Sequence, residues 1–291
     1  MDDDTKLATL TSMGFDLDVA ISALGACNGD VERAIELCLG GGVGGLVPAA
    51  DTAAASSAGA GAGTAGTLLR VSDASQYTFG PDGRSACTCI ALRYAERFLQ
   101  TISQSAHASA STADAIVDES FLSEGLQQGV ALYKTIKAGG STSVEHMSAE
   151  EVLNNAHGKG AFANLKFDAP VRQGVLSSDP SSPLGMQAVL AGCQSESHWV
   201  AVIITKSPET IAVALPPSSS PSPSQLSGYF LLDSHPRPQL GANGSYAIAH
   251  DNMVSLGRTL SEIFPFTDLG SDVGEMMQMM YNSFDAYVLQ Q

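Results

Sequence analysis

Basic residues are scarce in this chain: Lys and Arg number 14 against 30 Asp and Glu, a formal net charge of −16. Without clustered positive charge to displace counterions or meet anionic lipid, neither nucleic acid nor a membrane surface is expected as a partner. A partner with a basic surface fits better. Long apolar runs are also missing. No stretch approaches the roughly 18 to 20 residues of a membrane span, and the start, Asp2-Asp3-Asp4, has no basic region of the signal-peptide kind. A soluble protein of the cytoplasm, also compatible with the nucleus, is the expectation.

Cysteine is sparse and odd in number. Cys27, Cys38, Cys87, Cys89 and Cys193 have no disulfide-framework spacing, and Cys87 and Cys89 lie too close for CxxC metal geometry. Reduced thiols are expected. The six histidines (His107, His146, His157, His198, His235, His250) show no paired spacing such as HExxH, so no metal or other cofactor is implied. His107, His146, His157 and His250 are assigned to solvated surface.

What is present suffices for more than one core. The chain has 291 residues, 44% of them hydrophobic, and two folded units are the natural expectation. Residues 43 to 68 are almost entirely Gly, Ala, Ser, Thr and Val, which bury too little side-chain area to offset ordering entropy, and read as a flexible linker. Pro216 to Ser227 (PPSSSPSPSQLS) reads as a solvated loop between strand-like runs Trp199 to Ile204 and Tyr229 to Leu232. Periodicity predicts helices over Cys87 to Gln100, Ala113 to Lys137 and Ser148 to Asn155, the last opening with a Ser-x-x-Glu capping box. Strands then dominate to Asp233, and helices return at Asn252 to Phe264 and Val273 to Leu289. The second unit is therefore α+β, helices first and sheet after. Met276, Met277, Met279 and Met280 in the last helix are read as core filling.

In Asp30 to Gly40, the residues Val31, Ala34, Ile35, Cys38 and Leu39 recur at helical spacing, with Gly40 as a stop. Shorter segments, Lys6 to Thr11 and Leu17 to Leu24, precede it around the turn Met13-Gly14-Phe15. Three helices in so few residues make a marginal core, leaving turn residues partly exposed. The Met-Gly-Phe loop, the Ala20 to Leu24 helix, the Asn28-Gly29-Asp30-Val31-Glu32 turn and the Ala34-Ile35 to Leu39 ending resemble the ubiquitin-associated (UBA) domain. The resemblance spans residues 3 to 41, within a unit bounded at 2 to 42. It implies a three-helix fold and a ubiquitin-binding patch at Met13, Gly14, Phe15, Leu37 and Leu39. Such a small patch would bind weakly, in roughly the micromolar to millimolar range.

Cys87 follows the turn-rich Gly80-Pro81-Asp82-Gly83-Arg84-Ser85 and opens an apolar helix face (Ile90, Ala91, Leu92, Tyr94, Ala95, Phe98, Leu99). A helix N-terminus favours thiolate, although a cysteine there is more often an inert apolar residue. Asp233 and His235, at i and i+2 of a strand end, would project together. His198, heading the strand after Ser197, is the competing base, and Asp233 could orient either.

The segments Ala74-Ser75-Gln76, Phe79-Gly80-Pro81, Gly83 and Cys87, and the block Phe230-Leu231-Leu232-Asp233-Ser234-His235-Pro236-Arg237, resemble papain-like cysteine deubiquitinases, closest to the protease domain of herpesvirus large tegument proteins. The resemblance implies a papain-like α+β domain over residues 69 to 291, with a central, mostly antiparallel sheet. By the same resemblance Cys87 is the nucleophile, His235 the base, Asp233 its orienter and Gln76 an oxyanion donor, with His198 the alternative base. Cys89, two residues on, leaves the nucleophile open. A thiol-dependent hydrolase acting at the C-terminal glycine of ubiquitin, with ubiquitin and ubiquitinated proteins as partners, is the implied function. The alternatives are an inactive ubiquitin-binding adaptor and a protease for a ubiquitin-like modifier.

Overall fold

The computed structural model describes Lys6, Leu24, Ala34 and residues 66–105, 116–140, 145–179, 181–219, 228–270 and 272–291. The chain divides into two compact units, Met1–Ala60 and Gly61–Gln291. In the first, Lys6, Leu24 and Ala34 are helical and Ala34 is buried. These three positions fall one in each expected helix. Met13, Gly14, Phe15, Leu37 and Leu39 lie outside the described residues, as does most of the expected linker.

The second unit is built on a seven-stranded sheet. Its strands are β1 (Thr67–Val71), β2 (Lys166–Val175), β3 (Val200–Lys206), β4 (Glu209–Leu215), β5 (Tyr229–Asp233), β6 (Tyr246–His250) and β7 (Ser283–Gln290), in the order β1-β6-β5-β4-β3-β7-β2. Every neighbouring pair is antiparallel. The helices are α1 (Gly80–Arg84), α2 (Cys87–Ser105), α3 (Glu119–Ala138), α4 (Ala149–Asn154), α5 (Ala156–Ala161), α6 (Met186–Cys193), α7 (Met253–Ile263) and α8 (Glu275–Tyr281).

Strand alternation divides the interior into two apolar layers. Ala201, Ile203, Ala212, Ala214, Phe230 and Leu232 face α2 and α3. Val200, Val202, Ile204, Val213 and Leu231 face the opposite way, toward α6 and α7. The central strands are thus covered on both sides, so they read as continuous apolar runs. Helix α3 seats on α2 through glycines: a Cβ at Gly125 would come 2.4 Å from Tyr94 Cε1, and one at Gly129 would come 2.6 Å from Ile90 Cα.

Several boundaries follow from local signals. Ser148 and Glu151 form the expected reciprocal capping box at α4, and Asn252 caps α7 by accepting from the Ser255 N–H. Four expectations need correction. The linker ends earlier than residue 68, because Thr67 and Leu68 already pair with β6. A helix, α6, interrupts the region expected to be mostly strand. Most consequentially, Val273 to Leu289 is not one helix: α8 stops at Tyr281, and Ser283–Gln290 is a strand between β3 and β2. Phe284, Ala286 and Val288 enter one apolar layer while Tyr287 and Leu289 enter the other, a two-sided burial whose apolar run imitates a helix. The four methionines of α8 are exposed rather than core.

Candidate functional site

Three features meet at one end of the central strands: the start of α2, the turn between β3 and β4, and the end of β5. Cys87 is the first residue of the 19-residue α2, where the first-turn N–H groups lack intrahelical acceptors and the dipole favours an anion. The Pro208 carbonyl in the β3–β4 turn lies 3.8 Å from Cys87 Sγ. The thiol is 2% exposed.

At the end of β5, Asp233 closes an Asx turn. Its Oδ1 accepts from the His235 backbone N–H at 2.8 Å and contacts His235 Nδ1 at 2.6 Å. His235 sits in the bend beyond the strand, so this turn, rather than strand alternation, brings the imidazole and carboxylate together. Asp233 Oδ2 accepts from Arg237 Nε at 3.1 Å and the Tyr246 hydroxyl at 3.2 Å. Four donors meet a fully buried carboxylate, which fills its acceptor capacity and favours the ionised form. Arg237 is held in turn by Glu209, with Nη2 to Oε2 at 2.6 Å.

The titrations follow from this packing. Burial opposes charge on Asp233, but the positive His235 and Arg237 and their hydrogen bonds hold its pKa below the usual carboxylate value. Burial likewise disfavours a charged His235, yet Asp233 outweighs it and raises the imidazole to about 10, with a hydrogen bond to Cys87 adding to the effect. For Cys87, burial pushes upward, while hydrogen bonds to His146 and His235 and their charge bring the thiol down to about 6. Cys89 has no such neighbours and is pushed up to about 12, chiefly by burial and then by Cys87. The adjacent thiols are thereby sorted in favour of Cys87 as a thiolate.

Gln76 is buried and fastened at both ends of its amide. Nε2 donates to the Arg84 carbonyl at 3.1 Å, and Oε1 accepts from Ser234 Oγ at 2.7 Å. The Ser234 carbonyl also accepts the Gln76 N–H at 3.1 Å, tying the Asp233-Ser234-His235 turn to the segment leading into α2. Tyr77 stands edge-on to His235, with ring centroids 6.1 Å apart.

His198 does not join this group. It is exposed at the head of β3, where its ring contacts Ser195 Oγ at 2.9 Å and Gln290 Oε1 at 2.6 Å. The Ser207-Pro208 turn is at the other end of that strand, roughly 20 Å away at strand rise. His146 and His250 also depart from expectation. His146 is exposed, yet pairing with the Cys87 thiolate raises its pKa. His250 is 2% exposed, with Nδ1 3.0 Å from Ser255 Oγ. His157 is exposed as expected, and His107 lies outside the described residues. Glu209 and Tyr246 carry no motif of their own, and Arg237, the last residue of the Asp-Ser-His block, shows its part only through the fold.

Residues 3–37 match the family model of the UBA/TS-N domain. The N-terminal unit contains a UBA domain. The match includes Met13, Gly14, Phe15 and Leu37 of the expected patch; Leu39 lies just beyond it. A search of curated proteins found no match to the sequence. Among solved structures, the chain is similar to the ubiquitin-specific protease encoded by murine cytomegalovirus tegument protein M48, crystallised with a ubiquitin-based suicide substrate. There the TM-score is 0.49 and the identity 14%, covering 75% of this chain and 84% of that one. Similarity also extends to the Pseudomonas avirulence protein AvrPphB, with TM-score 0.39 and 11% identity over 76% of this chain and 98% of that one.

Proposed function

We propose that the chain is a cysteine deubiquitinase, recruited to its substrate by the UBA domain. The observation that carries this reading is the Asp233–His235 pair, with Nδ1 2.6 Å from Oδ1, together with a Cys87 thiol at the start of α2 that His146 and His235 bring down to about 6.

In this mechanism the Cys87 thiolate attacks the carbonyl carbon of ubiquitin's C-terminal glycine. A C–S bond forms and the carbonyl electron pair moves onto oxygen, facing the Cys87 N–H and the Gln76 amide. His235, held protonated by Asp233, gives its proton to the leaving lysine amine as the C–N bond breaks. Water then attacks the thioester, His235 takes its proton, and Cys87 departs as thiolate with ubiquitin released as the free acid. Asp233 stays ionised and fixes the imidazole; Arg237 and Tyr246 fix Asp233. Because Cys87 is 2% exposed beneath the Pro208 carbonyl, the β3–β4 turn must yield before the ubiquitin tail enters.

The test is incubation of the full chain with ubiquitin carrying a thiol-reactive group at its C-terminus. The expected result is a covalent adduct that is lost in Cys87→Ala, kept in Cys89→Ala and His198→Ala, and strongly slowed in His235→Ala. A folded wild-type chain that binds ubiquitin without forming an adduct would replace this reading with that of a ubiquitin-binding adaptor.

A further inference from the structure

Helix α8 has its polarity reversed. In the run Glu275-Met276-Met277-Gln278-Met279-Met280-Tyr281 the four methionines are 53 to 76% exposed and Tyr281 is 47% exposed, while Gln278 faces inward. The Gln278 side chain bonds both polar groups of the 267–269 segment, donating to the Thr267 carbonyl and accepting from the Leu269 N–H at 2.8 Å. Fully buried Asn282 closes the same contact, with Thr267 N–H to Oδ1 and Nδ2 to the Thr267 carbonyl both at 2.9 Å. Polar bonds thus anchor the helix while its large apolar side chains face solvent. Burial alone would select the opposite orientation, and a contiguous exposed patch of flexible thioethers is the usual makeup of an adaptable protein-binding face.

The position of the patch suggests its occupant. Tyr281 leads into β7, whose start lies beside the end of β3 through the pairing of Asp285 with Thr205. Lys206 Nζ sits 4.9 Å above the Tyr281 ring, and Lys206 is two residues before Pro208, whose carbonyl rests on Cys87. The patch therefore lies at the same end of the strands as the β3–β4 turn whose Pro208 carbonyl rests on the thiol. Exposed Glu275 on the helix and exposed Asp268 and Asp272 in the segment leading to it outnumber Lys206 over Tyr281, so the charge around the patch is net acidic. In a chain of net charge −16, that acidity disfavours a second copy and favours a partner whose apolar face is rimmed by basic side chains.

We infer that the Met276, Met277, Met279, Met280 and Tyr281 face of α8 is the docking platform for the ubiquitin unit whose C-terminal tail enters the Cys87 site, an assignment that rests on the deubiquitinase reading. Contact there would press on Tyr281 and Lys206, next to the turn that covers the thiol.

The experiment uses the full chain with ¹³C-methyl methionine, titrated with unlabelled ubiquitin, alongside adduct formation with the C-terminally reactive ubiquitin. Met13 in the UBA domain serves as an internal reporter of binding there. The expected result is that the methyls of Met276, Met277, Met279 and Met280 shift together with that of Met13. The double variant Met276→Gln, Met280→Gln should form adduct about tenfold more slowly at subsaturating ubiquitin, while alkylation of Cys87 by a small electrophile is unchanged. Gln has a helix propensity close to that of Met, so the helix is retained. Shifts confined to Met13, with the adduct forming normally in the double variant, overturn the platform and leave the enzyme reading intact. Shifts of the α8 methyls that follow the chain's own concentration instead of ubiquitin overturn it in favour of self-association. If no adduct forms even in wild type, the deubiquitinase reading fails, and the methyl titration still decides whether ubiquitin docks on α8.

Discussion

At the residue scale, the choice between two nearly adjacent cysteines is electrostatic. Cys87 has His146 and His235 to stabilise its thiolate, and Cys89 has buried apolar surroundings and the Cys87 charge against it. The thiolate–imidazolium pair requires Cys87 deprotonated and His235 protonated. The rate of ubiquitin release should therefore rise as pH passes about 6 and fall again as His235 loses its proton near about 10. His146→Ala removes one of the two imidazoles that lower the Cys87 pKa, so the acidic limb should move to higher pH while the alkaline limb stays in place. A pH–rate profile of small-electrophile alkylation reads the acidic limb directly; an unmoved limb would show that His146 is a bystander. Of these residues, Cys87, Gln76, Asp233 and His235 were candidates in the sequence because they lie in two short motif-bearing segments, with Cys89 and His198 left open beside them. His146, Glu209 and Tyr246 were not, because their proximity comes from strand pairing and helix packing that no local spacing encodes.

At the element scale, legibility followed how one-sided each element is. Helix α2 shows a clear apolar face and α4 a capping box, and both were readable; β7 is buried on both sides and α8 is inverted, so both defeat periodicity. The α2–α3 contact is a place where sequence gives no warning and structure gives a sharp one. A Cβ at Gly129 would meet the Ile90 backbone, with Cα at 2.6 Å and N at 2.8 Å. Gly129→Ala gains about 1 kcal/mol of helix propensity, yet it forces the two helices apart at a cost of about 1–3 kcal/mol. A lower denaturant midpoint is expected, accompanied by slower adduct formation because α2 carries Cys87; a raised midpoint would show that the helices separate freely. At the end of β6, burial holds His250 down at about 4 against an ordinary 6.5. Its folded pKa is depressed, so the neutral form's stabilisation is complete above pH 6.5 and is lost as pH falls toward 4. His250→Gln should flatten the pH dependence of the melting temperature across that window, and an unchanged slope would place the acid sensitivity elsewhere.

At the scale of the whole molecule, the chain has two compact units with different tasks under the proposed function. On that proposal the UBA domain would hold ubiquitin weakly and the second unit would cleave it. If the Gly, Ala and Ser segment serves as a tether under the proposed function, the gain from recruitment is an effective concentration rather than an altered active site. That arithmetic separates substrates by valency. A substrate bearing several ubiquitin units can occupy the UBA domain and the thiol site at once, whereas a single ubiquitin with a small leaving group occupies one or the other. Phe15→Ala, in the expected UBA patch, should therefore raise KM for polyubiquitin about tenfold or more while leaving kcat unchanged. On a single ubiquitin linked to a fluorogenic amine, both constants should be unaffected. Steady-state kinetics on the two substrates decides the matter. Equal losses on both would mean that the UBA domain acts on the catalytic unit itself, and no loss on either would mean that the enzyme finds its substrate without it.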